Sequence, residues 1–282
     1  MILFINPIDL AAYLAQKEQK GLTIGFVPTM GALHLGHISL IKESKKTTDI
    51  TVCSIFVNPT QFNDPNDFAN YPLTLENDLF LLESNGTDIV FLPSLKNIYP
   101  IGIELTRKFN LGYLETILEG KYRPNHFQGV CQVVHRLLMI VKPTTLFLGQ
   151  KDFQQYIVIK KLIILEAWDI QINLMPTLRE PSGLALSSRN LRLSEMDKIA
   201  ATTLNQSLEL LKNKLHPGSL DRILENATEM INSGGFDKID YLAICNAQTL
   251  ENITHWDGKT ALIGLVAAYI SGIRLIDNRI LN

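Results

Sequence analysis

Cysteine is scarce, and neither sign of charge dominates. Cys53, Cys131 and Cys245 share no metal-ligand spacing, and an odd count argues against a disulfide framework. They read as small core residues, which fits a reducing setting. The net charge is −2 and the pI about 6.3, so the basic footprint of a nucleic-acid binder is missing. Long apolar runs are missing as well. The most apolar late stretch, ALIGLVAAYISGI (261–273), is shorter than the roughly 18 residues a spanning helix needs and ends at Arg274, so it reads as buried strand. The opening stretch MILFINPIDLAAYLAQKEQK has no basic region ahead of its apolar part and does not read as a signal peptide. Neither an internal repeat nor a low-complexity tract is visible. These absences predict a cytoplasmic protein with neither membrane nor nucleic acid as partner.

What is present is a large apolar fraction, 46% of 282 residues, enough for one large or two modest domains. Continuous apolar runs at 22–27, 50–57, 88–93, 145–149 and 170–176 read as buried strands. Helical spacing lies between them, at 37–48, 75–85, 128–141 and 153–168. Such alternation predicts an α/β fold, a Rossmann-like doubly wound parallel sheet over residues 1–176. After residue 176 the pattern changes. A helix capped by Ser194, another over 219–232, and the runs IDYLAIC, TALIGLVAAYI and IRLID predict a smaller α+β domain over 177–282.

Ligands of open parallel sheets bind at the carboxyl ends of the strands. The unusual residues stand there. PTMGALHLGH (28–37) leaves the first apolar run through Pro28 and Gly31 and sets His34 and His37 at the start of a helix. Three residues apart, the two imidazoles share a face. A helix N-terminus offers free N–H groups and partial positive charge. Together they suit a triphosphate that loses a leaving group; two structural histidines in a turn is the bland alternative. No third ligand stands nearby at zinc spacing, so no metal site is expected. LGQKDFQQ (148–155) follows another strand, with Lys151 as a compact cation and Asp152 for ribose hydroxyls or a helix cap. Alone it would pass for surface chemistry. REPSGLALSSRN (179–190) joins Gly183, two serines and Arg189 in what reads as an anion-binding loop. FVNPTQF brings Asn58 and Gln61 to a strand end, and GKYRPNHFQGV brings Arg123 and His126; each of these is as readily structural as functional.

Taken together, these stretches resemble the pantothenate synthetase family, the pantoate–β-alanine ligases of the wider HxGH nucleotidyltransferase superfamily. PTMGALHLGH, FVNPTQF, DFANYPLTLENDL, KYRPNHFQGV, LGQKDFQQ, REPSGLALSSRN and the late IRLIDN stand in that family's order, so the resemblance spans nearly the whole chain. It implies an ATP-dependent ligase. The pantoate carboxylate attacks the α-phosphorus of ATP and releases pyrophosphate; the amine of β-alanine then attacks pantoyl adenylate and releases AMP.

The resemblance also implies the site. ATP is expected at Pro28, Met30, Gly31, Ala32, Leu33, His34, Leu35, Gly36 and His37. It is also expected at Gly149, Gln150, Lys151 and Asp152, and at Leu178, Leu186, Ser187, Ser188 and Arg189. His34, His37, Lys151 and Arg189 carry the catalytic roles, with His37 the family's proton donor. Gln61 and Gln155 hold pantoate, and Gln61 also serves β-alanine. Mg²⁺ is expected on the phosphates, with Asp78 as a candidate outer contact. A homodimer is implied. Residues 177–282 make a natural lid, since an acyl adenylate must be kept from water. Four residues depart from the family's habit: Leu73 where arginine is frequent, Asn125 where glycine is, Gln132 where threonine is and Ser182 where aspartate is. A nucleotidyltransferase that leaves AMP on its product and a non-catalytic nucleotide sensor are the rival readings. A class I tRNA synthetase is disfavoured by length and charge.

Overall fold

The five apolar runs do form strands of a single parallel sheet, although the strand within 170–176 has no buried residue. The computed structural model describes residues 1–63, 65–103 and 107–282. Its main sheet contains β1 (Ile2–Phe4), β2 (Ile24–Thr29), β3 (Ile50–Ile55), β4 (Ile89–Phe91), β5 (Thr145–Gly149) and β6 (Gln171–Met175). They lie in the order β1-β4-β3-β2-β5-β6, every pair parallel. β3 and β4 are buried at every residue, as strands covered on both faces must be. From β2 the chain builds outward through β3 to β4, then returns to the other side of β2 for β5 and β6. The switch point of the sheet is therefore the β2–β5 pair, whose carboxyl ends lead into PTMGALHLGH and GQKDFQQ.

Two compact units divide the chain: Met1–Gly149 with Val158–Pro176, and Gln150–Ile157 with Thr177–Asn282. Gln150–Ile157 thus groups with the second unit although it precedes residue 176. Among the described residues the helices up to β6 are α1 (Pro7–Glu18), α2 (Leu35–Thr47), α3 (Pro65–Ala69), α4 (Leu75–Ser84), α5 (Leu95–Ile98), α6 (Leu118–Tyr122), α7 (His126–Val141) and α8 (Phe153–Leu165). One core cluster of the first unit joins Val27, Cys53, Val90 and Phe147 of the sheet to Leu40 and Ile41 of α2 and Leu82 of α4. Leu33, from the loop after β2, is buried in the same cluster and pins the loop to the core.

The second unit holds α9 (Glu195–Asn213), α10 (Asp221–Ser233) and an antiparallel sheet of β8 (Lys238–Asn246), β10 (Leu262–Ile270) and β11 (Ile273–Ile280), with β10 central. β7 (Gly218–Ser219) and β9 (His255–Trp256) pair separately. Ser194 caps α9 as its sequence predicts: its Oγ accepts the Asp197 N–H at 3.1 Å while Asp197 reaches back to the Ser194 N–H at 3.2 Å. β10 is the apolar run Leu262–Ile270, buried at eight of its nine positions. Among the described residues no helix is long and apolar enough to cross a membrane. All three cysteines are buried, and burial pushes each thiol up to about 12, so they are inert core residues.

The sequence reading omits β1 and α1. β1 is three residues long, with Ile2 and Leu3 exposed, and only its pairing with β4 makes it a strand. α1 begins at Pro7 behind an Asn6 cap and buries only Leu10 and Leu14.

Candidate active site

The stretch PTMGALHLGH is held by its own backbone and by one remote carboxylate. Thr29 closes β2 with its Oγ1 donating to the Ser54 carbonyl at 2.7 Å and accepting the Gly31 N–H at 3.3 Å. The chain then turns through φ values of +81° at Gly31 and +49° at Ala32. Glycine is required at the first: a Cβ there would stand 3.0 Å from Asp78 Oδ2. Asp78, 1% exposed on α4, accepts the Ala32 N–H at 2.9 Å, the Leu33 N–H at 2.8 Å and the Thr74 hydroxyl at 3.0 Å. Charge-assisted bonds of this kind hold an uncommon backbone in place.

His34 is the N-cap of α2, and the two histidines form a reciprocal capping box. His34 Nδ1 accepts the Gly36 N–H at 3.1 Å, and His37 Nδ1 accepts the His34 N–H at 3.2 Å. The rings lie against each other, centroids 4.0 Å apart and planes 36° apart. A nitrogen that accepts an N–H carries no proton, so in each ring Nδ1 is the acceptor and Nε2 is the nitrogen left to carry a hydrogen. The bland reading and the functional one are therefore compatible: the Nδ1 atoms build the turn, and the Nε2 atoms are donors at a helix N-terminus.

Gln61 ends a 3₁₀ turn, Pro59–Gln61, that follows β3. Its Nε2 stands 2.8 Å from the Met30 sulfur and its Oε1 accepts the Asn58 amide at 3.2 Å. Asn58, 1% exposed, also donates to the Gly129 carbonyl at 3.2 Å and accepts the Tyr99 phenol at 2.8 Å. The Gln61 carbonyl accepts from His126 Nδ1 at 2.7 Å and Arg123 at 3.2 Å. His126 and Arg123 thus brace the Gln61 backbone. α7 approaches so closely that a Cβ at Gly129 would meet the Thr60 carbonyl oxygen at 2.3 Å.

The other predicted residues, Gly149 apart, lie in the second unit. Gln150–Asp152 forms a 3₁₀ turn, with Lys151 Nζ 3.9 Å from Asp152 Oδ2. Lys151 is largely buried, Asp152 about half exposed and Gln154 buried, while Gln155 is intermediate. Ser187 caps the 3₁₀ helix Ser188–Arg192, its Oγ accepting the Arg189 N–H at 3.3 Å. Leu178 is exposed and Leu186 half-buried beside this loop. Within the first unit the structure thus brings Pro28, Met30, Gly31–His37 and Gln61 together. Within the second it gathers the 150–155 and 178–189 stretches, and Gly149 of the first unit closes β5.

Asp78, expected only as an outer Mg²⁺ contact, has a structural part: it is buried and both its oxygens accept from the loop. Among the described residues no group of three His, Cys, Asp or Glu could hold a metal. Of the even readings left for Asn58 the structure shows a hydrogen-bonding hub; sequence reasoning missed Arg179, Asp277 and Asn278, whose bonds reach across long sequence separations that no local pattern signals.

The four departures stand in different settings. Asn125 sits at φ +64°, where asparagine is the best substitute for glycine. Ser182 Oγ accepts the Leu184 N–H at 3.4 Å, as an aspartate there would. Leu73 is 82% exposed, and Gln132 is buried on α7.

Comparison with known proteins covers the same span. The family model for pantoate-beta-alanine ligase matches residues 3–280. The pantothenate synthetase of Cytophaga hutchinsonii is 41% identical over 283 residues, covering 100% of this chain and 99% of that one. That of Pseudothermotoga lettingae is 42% identical, covering 98% of each. Among solved structures, pantothenate synthetase from Thermus thermophilus matches with a TM-score of 0.91 at 36% identity, over 100% of this chain and 99% of that one. Pantoate-beta-alanine ligase from Francisella tularensis, solved with beta-gamma ATP and beta-alanine, matches with a TM-score of 0.83 at 42% identity, over 99% and 97%.

Proposed function

The chain belongs to the pantoate–β-alanine ligase family, and from that premise we propose how its residues divide the work. The reaction is the ATP-dependent condensation of pantoate with β-alanine. A pantoate carboxylate oxygen bonds to the α-phosphorus as the bond to pyrophosphate breaks. The β-alanine nitrogen then bonds to the acyl carbon, and AMP departs with the bonding electrons.

The observation that carries the residue roles is the histidine capping box. Because both Nδ1 atoms accept backbone N–H groups, both Nε2–H groups serve as fixed donors to phosphate oxygens. Donors set in advance where charge develops need no reorganisation during reaction. Lys151 and Arg189 supply full charges to the departing pyrophosphate, and Ser187 and Ser188 add hydroxyls. Gly149, Gln150 and Asp152 serve the adenosine. Gln61 and Gln155 hold pantoate, and Gln61 also meets β-alanine. Neutral amides suit that task, since an arginine fork on the carboxylate would draw charge from the attacking oxygen. Mg²⁺ enters on the triphosphate as part of the substrate, as Mg²⁺ commonly does.

A closing role for residues 177–282 belongs to this reading, because the adenylate hydrolyses unless water is excluded. So do a cytoplasmic setting and a homodimer. Edge strand β1 supports the latter, exposing Ile2 at 43% and Leu3 at 48%; sedimentation at micromolar protein tests it.

The decisive experiment has two arms. With ATP and pantoate alone the protein should exchange labelled pyrophosphate into ATP; adding β-alanine should yield pantothenate and AMP. Product formed without pantoate-dependent exchange would overturn the two-step scheme. A stable nucleotide adduct would favour a nucleotidyltransferase, and ATP binding without any turnover a sensor.

A further inference from the structure

We propose that Asn278 is a positioning residue for Lys151, and that β11 sets both anion-binding loops of the second unit through Asp277 and Asn278. The inference rests on the reading that Lys151 serves the ATP phosphates. Asn278 is 2% exposed. Its Nδ2 donates to the Gln150 carbonyl at 2.9 Å and to the Lys151 carbonyl at 2.8 Å, and its Oδ1 accepts the Gln150 side-chain amide at 3.1 Å. Both amide hydrogens are thereby spent on two successive peptide groups of one 3₁₀ turn. The turn is only three residues long, and Asn278 adds two bonds to its carbonyls from outside it. These bonds from β11 tie the direction of the two carbonyls, and with it the point where the Lys151 side chain leaves the backbone, to Asn278.

The neighbouring residue holds the other loop. Asp277, 4% exposed, pairs with both terminal nitrogens of Arg179, at 2.6 and 2.8 Å, and accepts the Asn278 N–H at 2.7 Å. Arg179 also donates to the Gly183 carbonyl at 3.1 Å and to the Asn278 carbonyl at 3.3 Å. Gly183 lies in the same REPSGLALSSRN stretch as Ser187, Ser188 and Arg189. Two adjacent polar residues on one strand therefore reference the lysine turn and the serine–arginine loop to each other.

The chemistry at position 278 is narrow. It needs two donors side by side and no charge. Aspartate would aim a carboxylate oxygen at two carbonyl oxygens, and leucine would leave both carbonyls without this donor.

A double-mutant cycle in pantoate-dependent pyrophosphate exchange tests the proposal, with Asn278→Ala, Lys151→Ala and the pair, each checked by thermal unfolding. Asn278→Ala should slow exchange about 10²-fold, the scale of a misplacement near 1 Å, and should add little once Lys151 is gone. Attack of β-alanine on supplied pantoyl adenylate should fall far less. Asn278→Ser, which keeps one donor, should recover part of the exchange rate, and it takes over the cycle if the alanine variant does not fold. Equal losses in both backgrounds and both half-reactions would reduce Asn278 to a structural residue and overturn the proposal. Normal exchange in Asn278→Ala, or in Lys151→Ala, would overturn it too. Absence of exchange in the unsubstituted protein is a separate result: it would remove the functional reading, and this inference with it.

Discussion

The two groups of candidate phosphate ligands are built on different plans. His34 and His37 are set by bonds that span two or three residues, with Asp78 as one added brace. Lys151 is set by Asn278, 127 residues downstream. In the first plan the ligands shape their own loop, so losing a ligand damages the scaffold. In the second the ligand and its support are separate residues, so either can be removed alone.

The strongest test of that contrast is Asp78→Ala. It withdraws a buried acceptor from two backbone N–H groups, and each such loss costs about 1–3 kcal/mol. Denaturant unfolding should show a loss of about 2–6 kcal/mol, and exchange should fall with it. Destabilisation with normal exchange per folded molecule would show that the histidine box stands without its brace.

Next come His37→Ala and Lys151→Ala. Each should cut the adenylation rate about 10²-fold, the usual effect of removing one preorganised donor. Stability should separate them. His37 also accepts a capping bond, so its loss should cost about 0.5–2 kcal/mol, whereas Lys151→Ala should unfold nearly as the parent does. Equal stability in the two variants would erase the distinction between the plans.

A smaller effect comes from a region outside both loops. His135 Nε2 lies 3.3 Å from Glu166, which Arg107 grips with both terminal nitrogens. Burial, opposed by Glu166 and assisted by Arg107 and Arg136, holds the imidazole below its ordinary value. The unfolded chain then binds that proton more tightly than the folded one. Stability should therefore rise with pH up to about 6.5 and be lost as pH falls through the folded value. Urea unfolding across about pH 5–7 should show this slope in the parent, and His135→Gln should flatten it. An unchanged slope would assign the pH dependence to other groups.

The smallest effect is expected at Asn125. Asn125→Gly should change stability by less than about 0.5 kcal/mol, since relief at φ +64° is offset by a looser unfolded chain. Asn125→Ala should cost about 1 kcal/mol or more. Thermal unfolding of the two variants separates them, and a large loss in the glycine variant would mean that the Asn125 side chain itself holds the loop.

These cases mark how far the sequence could be read. PTMGALHLGH was legible because its signals are local: a Pro28–Gly31 turn after a strand, His34 at the start of a helix, and His37 three residues on. β2, β3 and β5 were legible because a strand buried on both faces must be continuously apolar. β1 was not, since its pairing with β4 lies some 87 residues away (Ile2↔Ile89) and its side chains are exposed.

The bracing part of Asp78 was hidden for the same kind of reason. A carboxylate near a phosphate motif suggests a metal contact, and nothing in LENDL reveals that two backbone N–H groups 45 and 46 residues earlier already occupy it. Asn278 stood in a matched motif without a role. By itself the sequence determined the family, the parallel sheet and the chemical kinds present at each strand end, because these follow from motif order, composition and short-range periodicity. Only the tertiary structure decided which nitrogen of each histidine accepts a backbone N–H, that Asp78 braces a loop, and that β11 bonds the lysine turn. Hydrogen-bond direction depends on where distant backbone groups arrive, and sequence separation carries no information about that.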